Sequence, residues 1–332
     1  MSIFDAKTLW LIGVVLVLLA SASVVVRVLK RRPDSGIDAA ILETFHLRVR
    51  AWWILFAILA AAFLLGPVAT VVLFGLISFW ALREFITVTP TRPGDHYTLF
   101  WVSCVFTPLQ FVLVGMGYYG LYSIMIPVYA FLFIPARIAL AGDYKRFLER
   151  AAKIQSGLLI CVYCLSHAPA LLTLKLPPLP NGEVDTGGGV RLLFFLVLIS
   201  QLSDALQYAW SQIPRRHVIV PTINPTRTWE GLLGGTASVT LIGAVLWWAT
   251  PFHGSSWWMA ALMSAVISLM GFAGGITMSA IKRDRGVKDY GTLVEGHGGV
   301  LDRIDSLCFA APVFFHCTRW WLVLAGIMSR VS

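Results

Sequence analysis

Charge is scarce in this chain: lysine, arginine, aspartate and glutamate make 13% of 332 residues, against 58% hydrophobic residues. That balance lies outside the range of ordinary soluble domains and excludes a soluble reading. The cations that exist are dispersed over short loops rather than gathered on one basic domain, which makes nucleic acid a poor partner. Cysteine is sparse too. The one CxxC, Cys161 and Cys164, sits inside an apolar stretch with no second CxxC and no basic loop beside it. It therefore reads as two small side chains on a packed helix face rather than a redox or zinc site. His167 on the same stretch reads as a hydrogen-bonded interior residue. Internal repeats and low-complexity segments are lacking, and the first apolar stretch lacks the flanks of a removable signal peptide, so it reads as an anchor.

What is abundant is apolar sequence of bilayer length. At about 20 residues per crossing, the stretches fall at roughly 8–27, 51–66, 68–87, 98–116, 120–138, 154–174, 190–210, 231–250, 255–279 and 305–327, with Gly66-Pro67 dividing the second from the third. The fold class expected is all-α, a polytopic integral membrane protein of about ten transmembrane helices. The Pro- and Gly-rich connection 175–189 is the one flexible break. It divides an N-terminal membrane region, 1–175, from a C-terminal one, 190–332. The Trp pairs at 52–53, 247–248, 257–258 and 320–321 read as interfacial belts.

Basic residues follow the odd-numbered spans: Arg27 to Arg50 after the first, Arg137 to Lys153 after the fifth, Arg215, Arg216 and Arg227 after the seventh. The connections near 117–119, 175–189 and 250–254 carry almost none. Positively charged loops stay cytoplasmic, so both termini are expected outside and the basic loops inside. The net charge of +9 suits anionic headgroups without discriminating among functions.

The richest chemistry lies between Ser279 and Asp305. Lys282, Arg283, Arg285, Lys288 and Arg303 are able to neutralise phosphates, and Asp289, Asp302 and Asp305 to hold a divalent cation. Gly296, Gly298 and Gly299 let backbone approach a ligand closely. Each piece has a plainer reading. Lys282 and Arg283 close the ninth helix, where cations favour its negative end, and Asp302 and Asp305 line the first turn of the last. Together, with His297-Gly298-Gly299 between them, they exceed those readings.

The order Ser279, Lys282-Arg283, Lys288-Asp289, His297-Gly298-Gly299, Asp302-Arg303, Asp305 resembles the signature of the phosphatidate cytidylyltransferases, the CDP-diacylglycerol synthases, over roughly 195–315. A match of this length is far more specific than a lone glycine motif. Val294 and Glu295 depart from the family pattern. A second region, Asp204 to Tyr208 and then Asn224-Pro225-Thr226-Arg227-Thr228-Trp229-Glu230-Gly231, resembles the family's Asp-x-x-x-Tyr helix and Ser-Pro-Lys-Lys-Thr-x-Glu-Gly loop. Thr226 and Arg227 stand where the family has lysines. Asp204 lies roughly 10 Å inside the end of its span, and an intramembrane carboxylate is a functional candidate by default. An ion pair with an arginine is the plain alternative, as helix capping is for Thr228 and Glu230. Where the family places an aspartate, this chain has Gly275, spaced from Gly271 as a G-x-x-x-G packing pair.

The resemblance implies a nucleotidyltransferase that joins CTP to phosphatidate, giving CDP-diacylglycerol and pyrophosphate, at a bacterial inner membrane with its site facing the cytoplasm. It implies Asp302, Lys282, Arg283, Lys288, Asp289 and Arg303 as catalytic residues. Arg227, Thr228, Glu230, Ser279, His297, Gly298, Gly299 and Asp305 would bind substrate. The implied cofactor is Mg2+ on Asp302, Asp204 and Asp289, with a second, monovalent cation left open, as is a homodimer. Two alternatives stand beside it: a non-catalytic relative that keeps the fold and binds nucleotide or lipid, and a cytidylyltransferase acting on a different phospholipid. A transporter fits least, since the charges cluster at one face.

Overall fold

The computed structural model describes residues 6–30, 39–89, 91–177, 185, 187–213, 217–254, 257–291 and 298–324. Its main helices are α1 (Ala6–Lys30), α2 (Ala39–Leu65), α3 (Pro67–Val88), α4 (Pro93–Gly115), α5 (Tyr119–Leu140), α6 (Phe147–Thr173), α7 (Gly188–Trp210), α8 (Trp229–Ala249), α9 (Trp257–Asp284) and α10 (Leu301–Leu324). Among the described residues, nine of them are long and apolar enough to cross a membrane, and α2 carries a shorter apolar part, Trp52–Leu65. The protein is an all-α, multi-pass membrane protein. Its sheet content among the described residues is one small ribbon, β1 (Val218–Val220) paired antiparallel with β2 (Asn224–Thr228).

The break at Gly66-Pro67 is real. Gly66 takes a φ of +102° and Pro67 opens α3, a backbone conformation glycine supplies and a helix position proline favours. Spans α4, α5 and α6 each contain a π-helical segment, at Val102–Phe106, Met125–Ala130 and Leu159–Cys164. Cys161 and Cys164 lie in the last of these and are unbridged. His167 is fully buried, with Nδ1 2.8 Å from the Tyr163 carbonyl.

Helices α7, α8 and α9 pack at close range because glycines and hydroxyls face one another. A methyl group on Gly235 would come within 2.5 Å of Gln207, and one on Gly243 within 1.8 Å of Ser264 Oγ. Ser203 and Ser268 hydroxyls meet at 2.7 Å, Thr236 and Ser268 at 2.9 Å, and Gln207 donates to Ser203 at 2.9 Å. Such small and polar contacts bind helices where lipid offers no hydrophobic contrast.

One packing expectation needs correction. Gly271 does face α10, where a methyl group on it would meet Ser306 Cβ at 3.3 Å, but its companion there is Gly274, where one would meet the Asp305 carbonyl at 2.7 Å. Gly275 points away from α10. Residues 178–184 and 186 of the connection 175–189 lie outside the described residues. Asp185 and Arg191 form a buried pair at 2.7 and 2.5 Å, and Gly189 lies against the backbone of Leu171 and Leu172.

Candidate active site

At one end of the bundle, α7, β2, α9 and the first turns of α10 enclose a polar cleft of about 230 Å³. Six of the residues singled out from sequence line it: Asp204, Arg227, Thr228, Asp302, Arg303 and Asp305. The segment 224–228, expected as loop, is an edge strand, a setting that tolerates Pro225. Thr228 ends it by capping α8, accepting from the Gly231 N–H at 3.0 Å. Glu230 turns back to the ribbon and accepts from the His217 N–H at 2.9 Å, with the His217 ring at 2.6 Å.

Arg227 is held from several sides. Nη1 donates to Gln207 Oε1 at 2.7 Å, Nη2 lies 3.4 Å from Asp204 Oδ1, and the guanidinium sits 5.5 Å from the Phe272 ring centroid. The surface beneath it is Gly275: a methyl group there would come within 2.6 Å of Nη2. A glycine thus stands where a larger residue would evict the guanidinium. Arg227 remains 18% exposed and Asp204 30%, so the pair is open to the cleft.

Asp302 fixes the loop before α10. Oδ1 accepts from Lys282 Nζ at 2.8 Å, while Oδ2 accepts from the backbone N–H groups of Tyr290 and Gly299, both at 2.9 Å. Gly298, at φ +80°, lies between two carboxylates; a methyl group on it would meet Asp302 Oδ2 at 2.7 Å and Asp289 Oδ1 at 3.1 Å. Ser279 accepts from Asn224 Nδ2 at 3.1 Å, tying β2 to α9, and Arg283 Nε donates to the Ile223 carbonyl at 3.2 Å. Lys288 and Asp289 are exposed outside the cleft lining. His297 lies outside the described residues, as do Val294, Glu295 and Gly296.

Three contributors escaped the sequence reading. Glu84 of α3, 7% exposed, accepts from the N–H groups of Val300 and Leu301 at 3.0 and 2.8 Å. It thereby satisfies orphan donors at the positive end of α10. An acid near the end of an apolar span was the available signal. Tyr290, 4% exposed, donates to the Met278 carbonyl at 3.0 Å, stacks on Phe85 and lies under Lys282. Burial chiefly, with smaller contributions from Cys161, Asp302 and Asp305 nearby, pushes its phenol above the ordinary tyrosine range. Gln207, the holder of Arg227, carried no signal beyond its polarity.

Of the metal ligands expected from sequence, Asp204 and Asp302 line the cleft together, while Asp289 lies outside the lining and beside Asp302 across Gly298. Among the described residues no three His, Cys, Asp or Glu side chains form a metal cluster. Asp302 is committed to a lysine and two N–H groups. With Asp302 so held, the other two carboxylates of the cleft lining are Asp204, with a guanidinium beside it, and Asp305. Asp305 accepts from the Ser306 N–H at 2.7 Å. An all-oxygen pair suits a hard cation that takes its remaining ligands from water and phosphate.

Comparison with known proteins identifies the family of the chain. A sequence model of the cytidylyltransferase family matches residues 46–321. The chain is 38% identical over 281 residues to a protein of Escherichia coli (strain K12) named uncharacterized protein YnbB, covering 82% of this chain and 87% of that one. It is 36% identical over 125 residues to the phosphatidate cytidylyltransferase of Staphylococcus epidermidis (strain ATCC 12228 / FDA PCI 1200), and 32% identical over 125 residues to that of Staphylococcus aureus (strain COL). These two alignments cover 38% of this chain, which spans about half, 48%, of each of those relatives. The chain belongs to the cytidylyltransferase family, and its relatives are bacterial.

Proposed function

We propose that the protein is a CTP-dependent cytidylyltransferase acting on a lipid phosphate monoester, with phosphatidate as substrate and CDP-diacylglycerol and pyrophosphate as products. The observation that carries this reading is the placement of Arg227 and Arg303 beside Asp204 and Asp305 in one cleft at the end of membrane-length helices. A triphosphate needs the cations. A lipid phosphate needs a cleft within reach of the bilayer.

The phosphate of the lipid is already anionic, so no strong general base is required. One of its oxygens attacks the α-phosphorus of CTP, the new P–O bond forms, and the bond to the β-phosphate bridging oxygen breaks. Pyrophosphate leaves with that electron pair. Rate enhancement in such a transfer comes from positioning and charge stabilisation. Arg227, pre-aimed by Gln207 and Asp204, and Arg303 are the phosphate clamps. Lys282, neutralised by Asp302, fixes the loop more than it faces the ligand. Lys288 and Arg283 remain at the rim, where they draw in an anionic nucleotide. Asp289 orients Gly298.

Asp204 and Asp305 are the residues that would hold Mg2+, replacing the trio expected from sequence. Bound there, the ion would offset the negative charge of the triphosphate. The bias of the basic loops supports a cytoplasmic position for the cleft, where CTP is found.

The test is purified protein in detergent with labelled CTP, phosphatidate and Mg2+. Equimolar CDP-diacylglycerol and pyrophosphate is the expected result. Nucleotide binding without product would instead support the non-catalytic reading.

A further inference from the structure

A second cavity, apolar and of about 380 Å³, opens between α1, α2 and α7. Leu18 and Ala22 of α1, Leu59 of α2, and Phe194 and Leu198 of α7 form its walls. It shares Trp52 and Gln201 with the polar cleft. The two spaces therefore meet at those side chains, one end charged and the other hydrocarbon. A larger apolar cavity of about 690 Å³ between α3 and α4 has no lining residue in common with the cleft. Volume does not distinguish the two; adjacency to the cleft does.

The groove is built rather than left over. Lys30 of α1 pairs with Glu43 of α2 at 2.7 Å, and Trp53 Nε1 donates to Ser23 Oγ at 3.0 Å. Phe56 of α2 meets Phe194 of α7 edge to face at 6.1 Å. Ser21, the hydroxyl in the wall, donates back to the Leu18 carbonyl at 2.9 Å, which removes its polarity from the groove. Helix α1 ends at Lys30 and so lies wholly outside the family-matched residues 46–321.

We propose that this groove holds a hydrocarbon chain of the same lipid whose phosphate enters the cleft, so that α1 sets chain selectivity. This rests on the reading of the substrate as a lipid phosphate. A molecule with a charged head and an attached chain fits a polar cleft that runs into an apolar groove. A water-soluble phosphate would leave the groove without a role.

Two measurements on the full chain test it. Ala22→Phe and Leu198→Trp narrow the groove without touching the cleft. For a long-chain phosphatidate such as the dioleoyl form, kcat/KM should fall at least tenfold, chiefly through KM. For the dihexanoyl form it should stay within twofold, with the KM for CTP unchanged. Equal loss on both lipids, or loss on neither, overturns the proposal. The second measurement needs no turnover: photolabelling with phosphatidate carrying a diazirine in mid-chain. Adducts should concentrate on α1, α2 and α7 and be displaced by phosphatidate but not by phosphatidylcholine. Adducts equally dense around Phe111 in the larger cavity, or displaced equally by both lipids, overturn it. If wild type makes no product yet the adducts follow this pattern, the catalytic reading fails and the groove stands.

Discussion

Two charge clusters in this protein are made from the same ingredients and end in opposite states. In the first, Arg150 of α6 meets Asp95 at the start of α4, with Nε 3.0 Å from both carboxylate oxygens. Nη2 donates to Asp95 as well, and Nη1 donates to the carbonyls of Asp143 and Lys145 at 2.8 and 3.0 Å. Asp95 is fully buried and Arg150 4% exposed. In the second, Arg227 spans Gln207 and Asp204, Asp305 adds another carboxylate, and the group stays open to a cleft. A closed network with its charges buried and paired locks helices together. An open one with acids in excess of its guanidinium is arranged to take a ligand.

The largest effects should come from breaking each cluster in turn. Arg150→Ala leaves Asp95 buried without its partner and should cost about 3–5 kcal/mol of stability, read as a lower thermal midpoint in detergent, with turnover per folded molecule unchanged. Arg227→Ala should do the reverse, lowering kcat/KM by about 10²–10³-fold while the thermal midpoint holds. Arg227→Lys should recover only part, because an ammonium cannot reach Gln207 and Asp204 together. If both variants lose stability and activity in step, the contrast between the clusters is wrong.

A smaller effect belongs to Glu84, which joins α3 to the start of α10. Glu84→Gln removes the charge from two hydrogen bonds to buried N–H groups and should cost about 1.5–3 kcal/mol. Limited trypsin digestion should then cut sooner at Arg285 or Lys288. An unchanged digestion rate would mean that the loop before α10 is held without it.

The smallest effect sits at the rim of the closed cluster. The Arg92 guanidinium, then the Lys145 backbone N–H, hold the Asp143 carboxyl below its usual range. A depressed folded value means that the contribution is present above the ordinary aspartate value of about 3.9 and is lost as pH falls through the folded one. The stability gap between wild type and Asp143→Asn should therefore be present at pH 7 and close at acid pH. A gap independent of pH would remove the electrostatic account of this contact.

Much of this was legible in the sequence because it is written locally. Span lengths follow from apolar runs, the Gly66-Pro67 reversal from two residues, and the chemistry of 279–305 from the density of cations, acids and glycines. Asp204 stood out because an intramembrane carboxylate is costly. What was hidden depends on rotation and on distance along the chain. Adjacent helical residues point about 100° apart, so spacing alone did not reveal that Gly274 faces α10 while Gly275 faces Arg227. Glu84 meets backbone 216 and 217 residues later, beyond any local pattern. The resemblance implied Asp302 as a metal ligand, and its hydrogen bonds within the chain could not be read from the motif. Its actual partners, Lys282 and two N–H groups, come from three segments.

The central claim is that Arg227, seated over Gly275, supplies the charge that makes the cleft work in this chain. The direct measurement is turnover of CTP and phosphatidate by wild type and Gly275→Asp, side by side across a Mg2+ titration. A side chain at 275 begins 2.6 Å from Arg227 Nη2, so the new carboxylate would capture or displace the guanidinium. The account predicts an active wild type and a variant slower by about tenfold, ~1.4 kcal/mol, at every Mg2+ concentration. A Gly275→Asp protein that is faster than wild type, or that is active where wild type is not, would contradict it.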